Sequence, residues 1–263
     1  MLLALDIGNT EITAGLFTAD TLSAHWRLTT NPDRTPDEWA AAFGGFLIQA
    51  GHSPNEVRAC CLASVAPATT GSVAEGVEKA TGTRPVPIDA RARLPVRLDV
   101  EEPLSVGADR IVNVLAAAEL HRGDVIVVDF GTATTFDCIT ADGRFIGGAI
   151  MPGLRTSADQ LTRRAAKLPA TELAAPDRVI GRRTDECIQA GVIFGSADAV
   201  DGIVRRIIAE WPHSGPGAKR PAVIATGGLA ALVVPHCTTI DRIERDLTLQ
   251  GLRIAARHLG LAW

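Results

Sequence analysis

Apolar residues near the start of the chain fall into short runs that are typical of strands. Three runs, Leu2 to Asp6, Ile12 to Thr18 and His25 to Thr29, are separated by only a few residues. Strand-like runs joined in this way predict hairpins. The first turn, Ile7 to Thr10, is favoured by its glycine and asparagine, which tolerate the left-handed backbone region.

A change from strand to helix is predicted at Thr35. Thr35 is a suitable N-cap, Pro36 fits the first helical position, and Glu38 completes a capping box. This helix is expected to run to about residue 50 and to stop at Gly51. The rest of the first half predicts a buried strand at 57–65, a helix at about 70–80, short strands near 86 and 96, and a helical pattern after 107–110 that runs to about 120.

The same order of elements returns in the second half of the chain. Val125 to Asp129 predicts a buried strand that ends in an aspartate, as Leu2 to Asp6 does, and a small polar turn follows each strand. Two further strands are predicted at Phe136 to Thr140 and Arg144 to Ile150. The two aspartates are 123 residues apart. A repeat at this domain-sized spacing predicts a duplicated α/β fold.

The end of the chain combines helices with one more strand. Gly153 precedes a helix that is predicted to reach about residue 167, and a link containing prolines and a glycine covers 168–183. A long helical stretch is predicted from Thr184 to Trp211, with a break near Gly195. Beyond it lie a loop at Ser214 to Gly217, a strand at Ala222 to Ala225, the turn Thr226-Gly227-Gly228, a helix from Leu229 and a helix from Leu247 to Leu259.

Composition places the chain among ordinary globular proteins. Its 263 residues are 46% hydrophobic and 21% charged, which excludes disorder, collagen and coiled coil as descriptions of the whole chain. The formal net charge of −4 argues against nucleic-acid binding driven by bulk positive charge. The five cysteines form no C-x-x-C pair, so reduced thiols that pack as small hydrophobes are expected.

The sequence favours a cytoplasmic protein with neither a membrane nor a nucleic-acid partner. The N-terminal region lacks a basic segment, and its apolar run is too short for a signal peptide. The uncharged stretch Pro221 to Ile240 has the length of a membrane span. Its prolines and its Gly227-Gly228 pair fit a buried strand, a turn and a helix better.

Both hairpin turns carry the residue types that phosphate binding requires. Small residues let backbone N–H groups approach a phosphate, and Gly8-Asn9-Thr10 and Gly131 to Thr134 provide such residues. The aspartate before each turn can hold a metal ion or its water shell. Two such turns that face each other can clamp a polyphosphate, and Gly227-Gly228 lets a nucleoside approach the backbone. Each turn alone is also compatible with an ordinary hairpin.

The sequence lacks the glycine-rich motifs of the commoner nucleotide folds and the ligand spacing of histidine and cysteine metal centres. The sequence contains no G-x-x-x-x-G-K-[ST] motif, and no G-x-G-x-x-G motif follows the first strand. The six histidines are scattered, and histidines and cysteines form no cluster with metal-ligand spacing.

Five motifs occur in an order that resembles a known family. They are Asp6-Ile7-Gly8-Asn9-Thr10, Gly107-Ala108-Asp109-Arg110, Asp129-x-Gly131-Thr132-Ala133-Thr134-Thr135, Gly147-Gly148-x-Ile150-x-Pro152-Gly153 and Thr226-Gly227-Gly228. This set is similar to type III pantothenate kinase over nearly the whole chain. That family belongs to the superfamily of acetate kinase, sugar kinases, Hsp70 and actin. The resemblance implies two ribonuclease H-like domains, here 1–118 and 119–263, with the nucleotide site in the cleft between them.

The resemblance also implies a reaction, in which ATP phosphorylates pantothenate to 4′-phosphopantothenate in the first step of coenzyme A synthesis. Asp109 would accept the proton of the attacking hydroxyl, and Asp129 would bind a monovalent cation, potassium or ammonium. Asp6 would lie near Mg²⁺, and Thr184 would reach pantothenate in the neighbouring subunit of a homodimer. The other implied roles are ATP binding by Asp6, Ile7, Gly8, Asn9, Thr10, Glu11, Ile12, Thr13 and Thr132, and pantothenate binding by Gly107, Ala108, Asp109 and Arg110.

The residues alone leave simpler interpretations of three of these positions open. Asp109 also suits the N-terminus of a helix, where the helix dipole favours an aspartate. Asp129 also suits a solvated strand end, and Thr184 also suits a plain N-cap.

Two departures from the family pattern fall on the substrate side. The family usually carries a tyrosine a few residues before its Gly-x-Asp-Arg motif, where this chain has Val100, and the chain contains no tyrosine. Before the matched threonine the family commonly has asparagine, where this chain has Arg183. Because of Val100, an alternative function remains: a kinase of the same fold that acts on another small hydroxyl or acid substrate. A regulatory homologue without activity is a further alternative, against which the retained Asp6, Asp109 and Asp129 argue.

Overall fold

The computed structural model describes residues 1–212 and 219–263, so the loop predicted at Ser214 to Gly217 lies outside the described residues. The chain forms two compact units. The first contains Met1–Glu119 together with Leu247–Trp263, and the second contains Leu120–Asp246. The sequence-based division placed 119–263 in one domain, whereas the C-terminal segment packs with the first unit.

Strands and helices follow each other in the order that the apolar pattern predicts. In chain order the described strands are β1 (Leu2–Ile7), β2 (Glu11–Thr18), β3 (Thr21–Thr29), β4 (Ala59–Ser64), β5 (Val86–Pro87), β6 (Arg97–Leu98), β7 (Val125–Phe130), β8 (Ala133–Ile139), β9 (Arg144–Pro152), β10 (Ala222–Thr226) and β11 (Arg242–Ile243). The described α-helices are α1 (Pro36–Gln49), α2 (Pro67–Thr81), α3 (Ala108–Leu120), α4 (Leu154–Arg164), α5 (Thr184–Ala209), α6 (Ala230–Val233) and α7 (Leu247–His258).

The start of α1 is fixed by the predicted capping box. The backbone N–H of Glu38 donates to Thr35 Oγ1 at 3.3 Å, and the backbone N–H of Thr35 donates to Glu38 Oε2 at 2.7 Å. Pro36 occupies the first helical position, and Gly51 follows the helix with φ of +82°. Replacing such an N-cap by alanine typically costs about 1 kcal/mol, so this boundary is set by local chemistry.

The five strands of the first sheet and five of the six strands of the second share one topology, which confirms the predicted duplication. The strand order in the first unit is β3-β2-β1-β4-β5, with β1–β2 and β2–β3 antiparallel and β1–β4 and β4–β5 parallel. In the second unit, β9-β8-β7-β10-β11 repeats this order and these directions. Each unit therefore has a central strand, β1 or β7, that is paired on both sides.

Helices cover both faces of the first sheet. Leu3 and Leu5 of β1 pack in a cluster with residues of α1 and α2, whereas Leu2 and Ala4 pack in a cluster with residues of α3 and α7. Successive residues of a strand point to opposite faces. A central strand buried on both faces therefore reads as the continuous apolar run seen in the sequence.

Helix α5 is the main core helix of the second unit. Ile193, Ala197, Val200 and Val204 are buried in the cluster that includes the residues of β7 on one face of the sheet. The break predicted near Gly195 is wrong, because α5 continues through that residue. By length and composition α5 is apolar enough to cross a membrane, but these four residues pack it as a core helix.

Shorter elements account for the other differences from the sequence-based expectation. Helix α4 ends at Arg164, and the helix expected from Leu229 is the single turn α6. Strand β11 has only two residues and carries no apolar run that could have predicted it. The stretch from Pro221 to Ile240 contains a strand, a turn and a short helix, as expected. All five cysteines are free, although Cys187 is exposed rather than packed.

Helix α7 completes the first unit through close contacts. It packs on β1, β2 and β4, and a Cβ atom at Gly251 would lie closer than 3.0 Å to the carbonyl of Val112 in α3. Arg253 is only 9% exposed and pairs with Asp20 in the turn between β2 and β3. The indole N–H of Trp263 donates to the carbonyl of Ala19 in the same turn at 3.0 Å.

Because α7 lies so close to α3 at Gly251, a side chain at this position should destabilise the folded protein. Gly251→Ala should lower the free energy of unfolding by about 1–3 kcal/mol, because the added methyl group forces the two helices apart. Urea unfolding of the whole chain measures this change. The matched control is Gly45→Ala in α1, where a Cβ atom meets nothing within 4 Å. That variant should be neutral or more stable, and equal stability of the two variants would contradict the close contact.

Candidate functional site

The first predicted phosphate turn lies directly after the central strand β1. Asp6 is the penultimate residue of β1 and is paired with Thr13 of β2 and with Ala63 of β4. The backbone N–H of Gly8 donates to the carbonyl of Glu11 at 3.0 Å and closes the turn. Asp6 is half-buried, whereas the side of the turn formed by 9–11 is exposed.

The glycine of this turn has a different purpose from the one predicted. No residue of the turn has a positive φ, so Gly8 does not serve a left-handed conformation. A Cβ atom at Gly8 would lie 2.9 Å from the carbonyl oxygen of Glu11. Glycine is therefore needed for the close approach of the two sides of the turn. Thr30 Oγ1 donates to the Gly8 carbonyl at 2.7 Å and holds the turn from β3.

The end of β4 supports the first turn and was not singled out in the sequence. The backbone N–H of Val65 donates to the carbonyl of Ile7 at 3.0 Å. The hydroxyls of Ser64 and Thr70 lie 2.6 Å apart and join the end of β4 to the first turn of α2. Only the parallel pairing of β1 and β4 reveals this support, because these residues are distant in the sequence from the turn.

Asp109 lies in the first turn of α3, as its alternative interpretation at a helix N-terminus also expects. Its Oδ1 atom accepts a hydrogen bond from the backbone N–H of Arg110 at 2.8 Å. A Cβ atom at Gly107 would lie 2.5 Å from this Oδ1 atom and 3.3 Å from Cγ1 of Val65. Gly107 is therefore packed between the Asp109 carboxylate and Val65, whose backbone N–H supports the first turn.

The surroundings of Asp109 change its proton affinity. Burial raises the pKa of the Asp109 carboxyl above its ordinary value, although the backbone N–H and the positive charge of Arg110 act in the opposite direction. A half-buried carboxylate with a raised pKa is a stronger proton acceptor than an exposed one. Its position in the first unit, close to the turn after Asp6, is suited to general-base chemistry.

The second predicted phosphate turn is held by the start of α4. The backbone N–H of Gly131 donates to the carbonyl of Ala133 at 3.0 Å. The carbonyl of Thr132 accepts from the backbone N–H of Gly153 at 3.1 Å and from Thr156 Oγ1 at 2.7 Å. A Cβ atom at Gly153 would overlap the carbonyls of Gly131 and Thr132. The side chain of Thr132 is exposed.

Asp129 occupies the place in the second unit that Asp6 occupies in the first. It is the penultimate residue of β7 and is paired with Thr135 of β8 and Thr226 of β10. Gly227 has φ of +91°, and a Cβ atom there would lie closer than 3.0 Å to Asp129 Oδ1 and to the Phe130 backbone. The protein itself therefore needs Gly227, whatever approaches the adjacent Gly228.

Thr184 is the first residue of α5, so the alternative of a plain N-cap is wrong. Arg183 occupies the N-cap position, and its guanidinium pairs with Asp185 through Nε–Oδ1 at 3.0 Å and Nη2–Oδ2 at 2.5 Å. Thr184 is exposed at the rim of an open, mainly apolar groove of about 550 Å³. This groove lies along α4 and α5, and Leu161 and Gly191 are among its lining residues.

The arrangement of metal-ligating side chains in the described part of the chain bears on which groups could hold a cation. No group of three or more histidine, cysteine, aspartate or glutamate side chains with metal-holding geometry occurs in residues 1–212 and 219–263. A cation at Asp6 or Asp129 would therefore be held by one carboxylate with hydroxyl, water or phosphate oxygens, as hard cations prefer.

Comparison with known proteins shows one consistent family. The model of the family described as type III pantothenate kinase matches residues 2–206. A relative of that name from Thermomicrobium roseum is 45% identical over 259 residues, which cover 98% of each protein.

Solved structures share the fold at much lower identity. A structure from Campylobacter jejuni described as a Baf family transcriptional activator matches with a TM-score of 0.60 and 16% identity, over 98% of each chain. The ROK hexokinase from Thermus thermophilus matches with a TM-score of 0.51 and 16% identity, also over 98% of each chain. These likenesses confirm the predicted sugar-kinase class of α/β fold.

The environment of Asp109 predicts a measurable titration. The Asp109 carboxyl should titrate above the ordinary aspartate value of about 3.9, because burial disfavours its charged form. Asp142 should titrate below that value, because the hydroxyl of Thr140 donates to its carboxylate. Carbon-detected NMR of aspartate-labelled protein measures both, with Asp109→Asn to assign the signal. A lower pKa for Asp109 than for Asp142 would contradict the described burial.

Proposed function

Because the chain belongs to the type III pantothenate kinase family, we propose a role for each site residue in the ATP-dependent phosphorylation of pantothenate. The product is 4′-phosphopantothenate, and the reaction is the first step of coenzyme A biosynthesis. The observation that carries this function is the 45% identity to a relative of that name over 98% of both chains.

The phosphates of ATP are bound by both hairpin turns. Backbone N–H groups in tight turns of small residues are suited to phosphate oxygens, and the exposed side of each turn leaves room for them. Thr132 adds a contact from the second turn. The proposed ATP-binding residues are Asp6, Ile7, Gly8, Asn9, Thr10, Glu11, Ile12, Thr13 and Thr132.

Pantothenate is positioned by Gly107 to Arg110. Asp109 accepts the proton of the attacking hydroxyl as its oxygen bonds to the γ-phosphorus of ATP and ADP leaves. The guanidinium of Arg110 pairs with the carboxylate of pantothenate, a geometry for which its planar fork is suited. Phosphoryl transfer depends mainly on such positioning and on charge stabilisation.

Two cations are proposed for the phosphate-binding turns. Asp6 is suited to Mg²⁺, whose ligands are typically one or two carboxylates, waters and substrate phosphates. Asp129 is assigned to a monovalent cation, potassium or ammonium. Asp6 and Asp129, the penultimate residues of the two central strands, would hold these ions, and the bound ions would supply positive charge that neutralises the phosphates.

A homodimer in the cytoplasm is the proposed state of the protein. Thr184 reaches the pantothenate of the neighbouring subunit, and the apolar groove beside it along α4 and α5 supports a contact with a second copy. Ile180, which is 83% exposed, lies in the segment just before α5. The net charge of −4 and the packing of α5 in the core support the absence of nucleic-acid and membrane partners.

The proposed reaction is tested by turnover and by the loss of the base. The wild-type protein should release ADP with pantothenate in preference to other small alcohols and acids. Asp109→Asn should lower kcat by about 10²–10⁴-fold, because it removes the proton acceptor while keeping its shape. Nucleotide binding, measured by titration calorimetry, should persist in this variant.

Other outcomes of this assay would favour the alternatives. Preferred turnover of a different acceptor would favour the same-fold kinase that Val100 keeps open. Absence of turnover with every acceptor would favour a regulatory homologue. Near-normal kcat in Asp109→Asn would remove Asp109 from the catalytic role.

Val100 and Arg183 predict how the substrate pocket differs from the family pattern. We expect Val100→Tyr to leave pantothenate affinity unchanged or weaker, because Arg183 of the partner subunit compensates for the missing hydroxyl. Arg183→Ala should then weaken pantothenate binding by several-fold to about 100-fold, the value of one hydrogen bond to a charged group, and leave ATP binding unchanged. Titration calorimetry measures both ligands.

The pairing of Arg183 with Asp185 supplies a control for this prediction. Asp185→Asn frees the guanidinium without removing it and should not weaken pantothenate binding. Tighter binding in Val100→Tyr together with an unchanged affinity in Arg183→Ala would contradict the compensation and make Val100 a lost contact.

A further inference from the structure

Two hydroxyl groups beside Asp129 are buried without a hydrogen-bond partner. Thr226 is 0% exposed, and its Oγ1 atom has no partner in the described part of the chain; the same is true of Oγ1 of the half-buried Thr135. A buried hydroxyl left without a partner destabilises the folded state, because it gives up its hydrogen bonds to water and gains none in return. Such groups in a native protein call for an explanation, and a bound ion or water is one.

Strand register places these hydroxyls on either side of the Asp129 carboxylate. Asp129 is directly paired with Thr135 in the antiparallel ladder of β7 and β8 and with Thr226 in the parallel ladder of β7 and β10. Directly paired residues share a face of the sheet, with Cβ atoms about 4.5–5.5 Å apart. This face is the one opposite the core cluster that contains Val128 and Phe130. One carboxylate and two hydroxyls therefore form a row at the end of three adjacent strands.

The duplicated fold offers an internal comparison for this row. In the first unit, Asp6 is flanked by Thr13 on β2 and by Ala63 on β4. The carboxylate and the first threonine are thus common to both units, whereas the second hydroxyl belongs to the second unit alone. Since the common pair fits the shared fold, Thr226 is the residue that distinguishes the surroundings of Asp129 from those of Asp6.

We propose that the hydroxyls of Thr226 and Thr135, together with Asp129, are ligands of a monovalent cation of the size of potassium. This inference rests on the proposed function, which assigns such a cation to Asp129 without naming its other ligands. Neutral oxygen dipoles can replace the hydration shell of potassium. Mg²⁺ dehydrates reluctantly and keeps several waters, so it gains less from buried hydroxyls.

Thermal unfolding without nucleotide tests the ligands independently of catalysis. A cation that binds only the folded protein raises Tm as its concentration increases. In wild-type protein, potassium chloride should raise Tm relative to choline chloride at equal ionic strength. In Thr226→Val and Thr135→Val, the potassium concentration that gives half of this rise should increase by about 10-fold or more, the lower end of losses seen for groups around a metal. Thr226→Ser should retain the response.

Thr140→Val is the matched control. Thr140 is a buried threonine next to the end of β8 whose hydroxyl already donates to Asp142. This variant should lower Tm in both salts and keep the potassium-dependent rise, which separates loss of stability from loss of a ligand. If Thr226→Val does not fold, thallous ion soaked into wild-type crystals gives a second test. Its anomalous peak should lie between Asp129, Thr135 and Thr226.

Several outcomes would overturn the assignment. A full potassium response in both valine variants would show that the hydroxyls are not ligands, and a response to Mg²⁺ instead of potassium would show a divalent site. Absence of any cation response in wild-type protein would indicate that water occupies the row. If the wild-type protein nevertheless phosphorylates pantothenate, only this inference fails. If it binds potassium but phosphorylates nothing, only the proposed function fails.

Discussion

The pairing register of one central strand in each unit determines where the aspartates of the candidate site, Asp6 and Asp129, are placed. β1 and β7 are hydrogen-bonded on both sides, and their alternate residues are buried on opposite faces of the sheet. A slip of one residue would reverse every side chain and move the aspartate to the wrong face. The apolar area that these strands bury therefore fixes the positions of Asp6 and Asp129. In the first unit the start of α3 lies near the turn after Asp6, and in the second unit the start of α4 holds the turn after Asp129.

Local chemistry explains why much of the fold was predictable. The capping box of α1 and the apolar runs of β1 and β7 are complete within a few residues, and the structure follows them closely. The motifs likewise predicted the turns after β1 and β7 and a position for Asp109 at the start of a helix. What the sequence did not indicate depends on strand pairing: Val65 supports the first turn only because β4 lies parallel to β1, and Thr226 meets Asp129 only because β10 lies parallel to β7.

The glycines of the motifs illustrate the same distinction. The sequence predicted a left-handed conformation and room for a phosphate at the turn of Gly8, yet a Cβ atom at Gly8 would strike the chain's own backbone. The same is true at Gly153, and at Gly107 a Cβ atom would strike the Asp109 carboxylate. Gly227 combines a positive φ with such a contact. Within each unit, the motif glycines thus allow neighbouring loops and strand ends to approach each other closely.

The packing of α7 in the first unit has a consequence for folding during translation. Translation delivers β1 to β5 and the first three helices early, but the sheet face that α3 shares with α7 lacks part of its cover until Leu247–Trp263 has left the exit tunnel. The second unit, which is continuous from Leu120 to Asp246, meets no such delay. In a nascent chain, the apolar positions that α7 covers therefore stay exposed until residues 247–263 can pack on them.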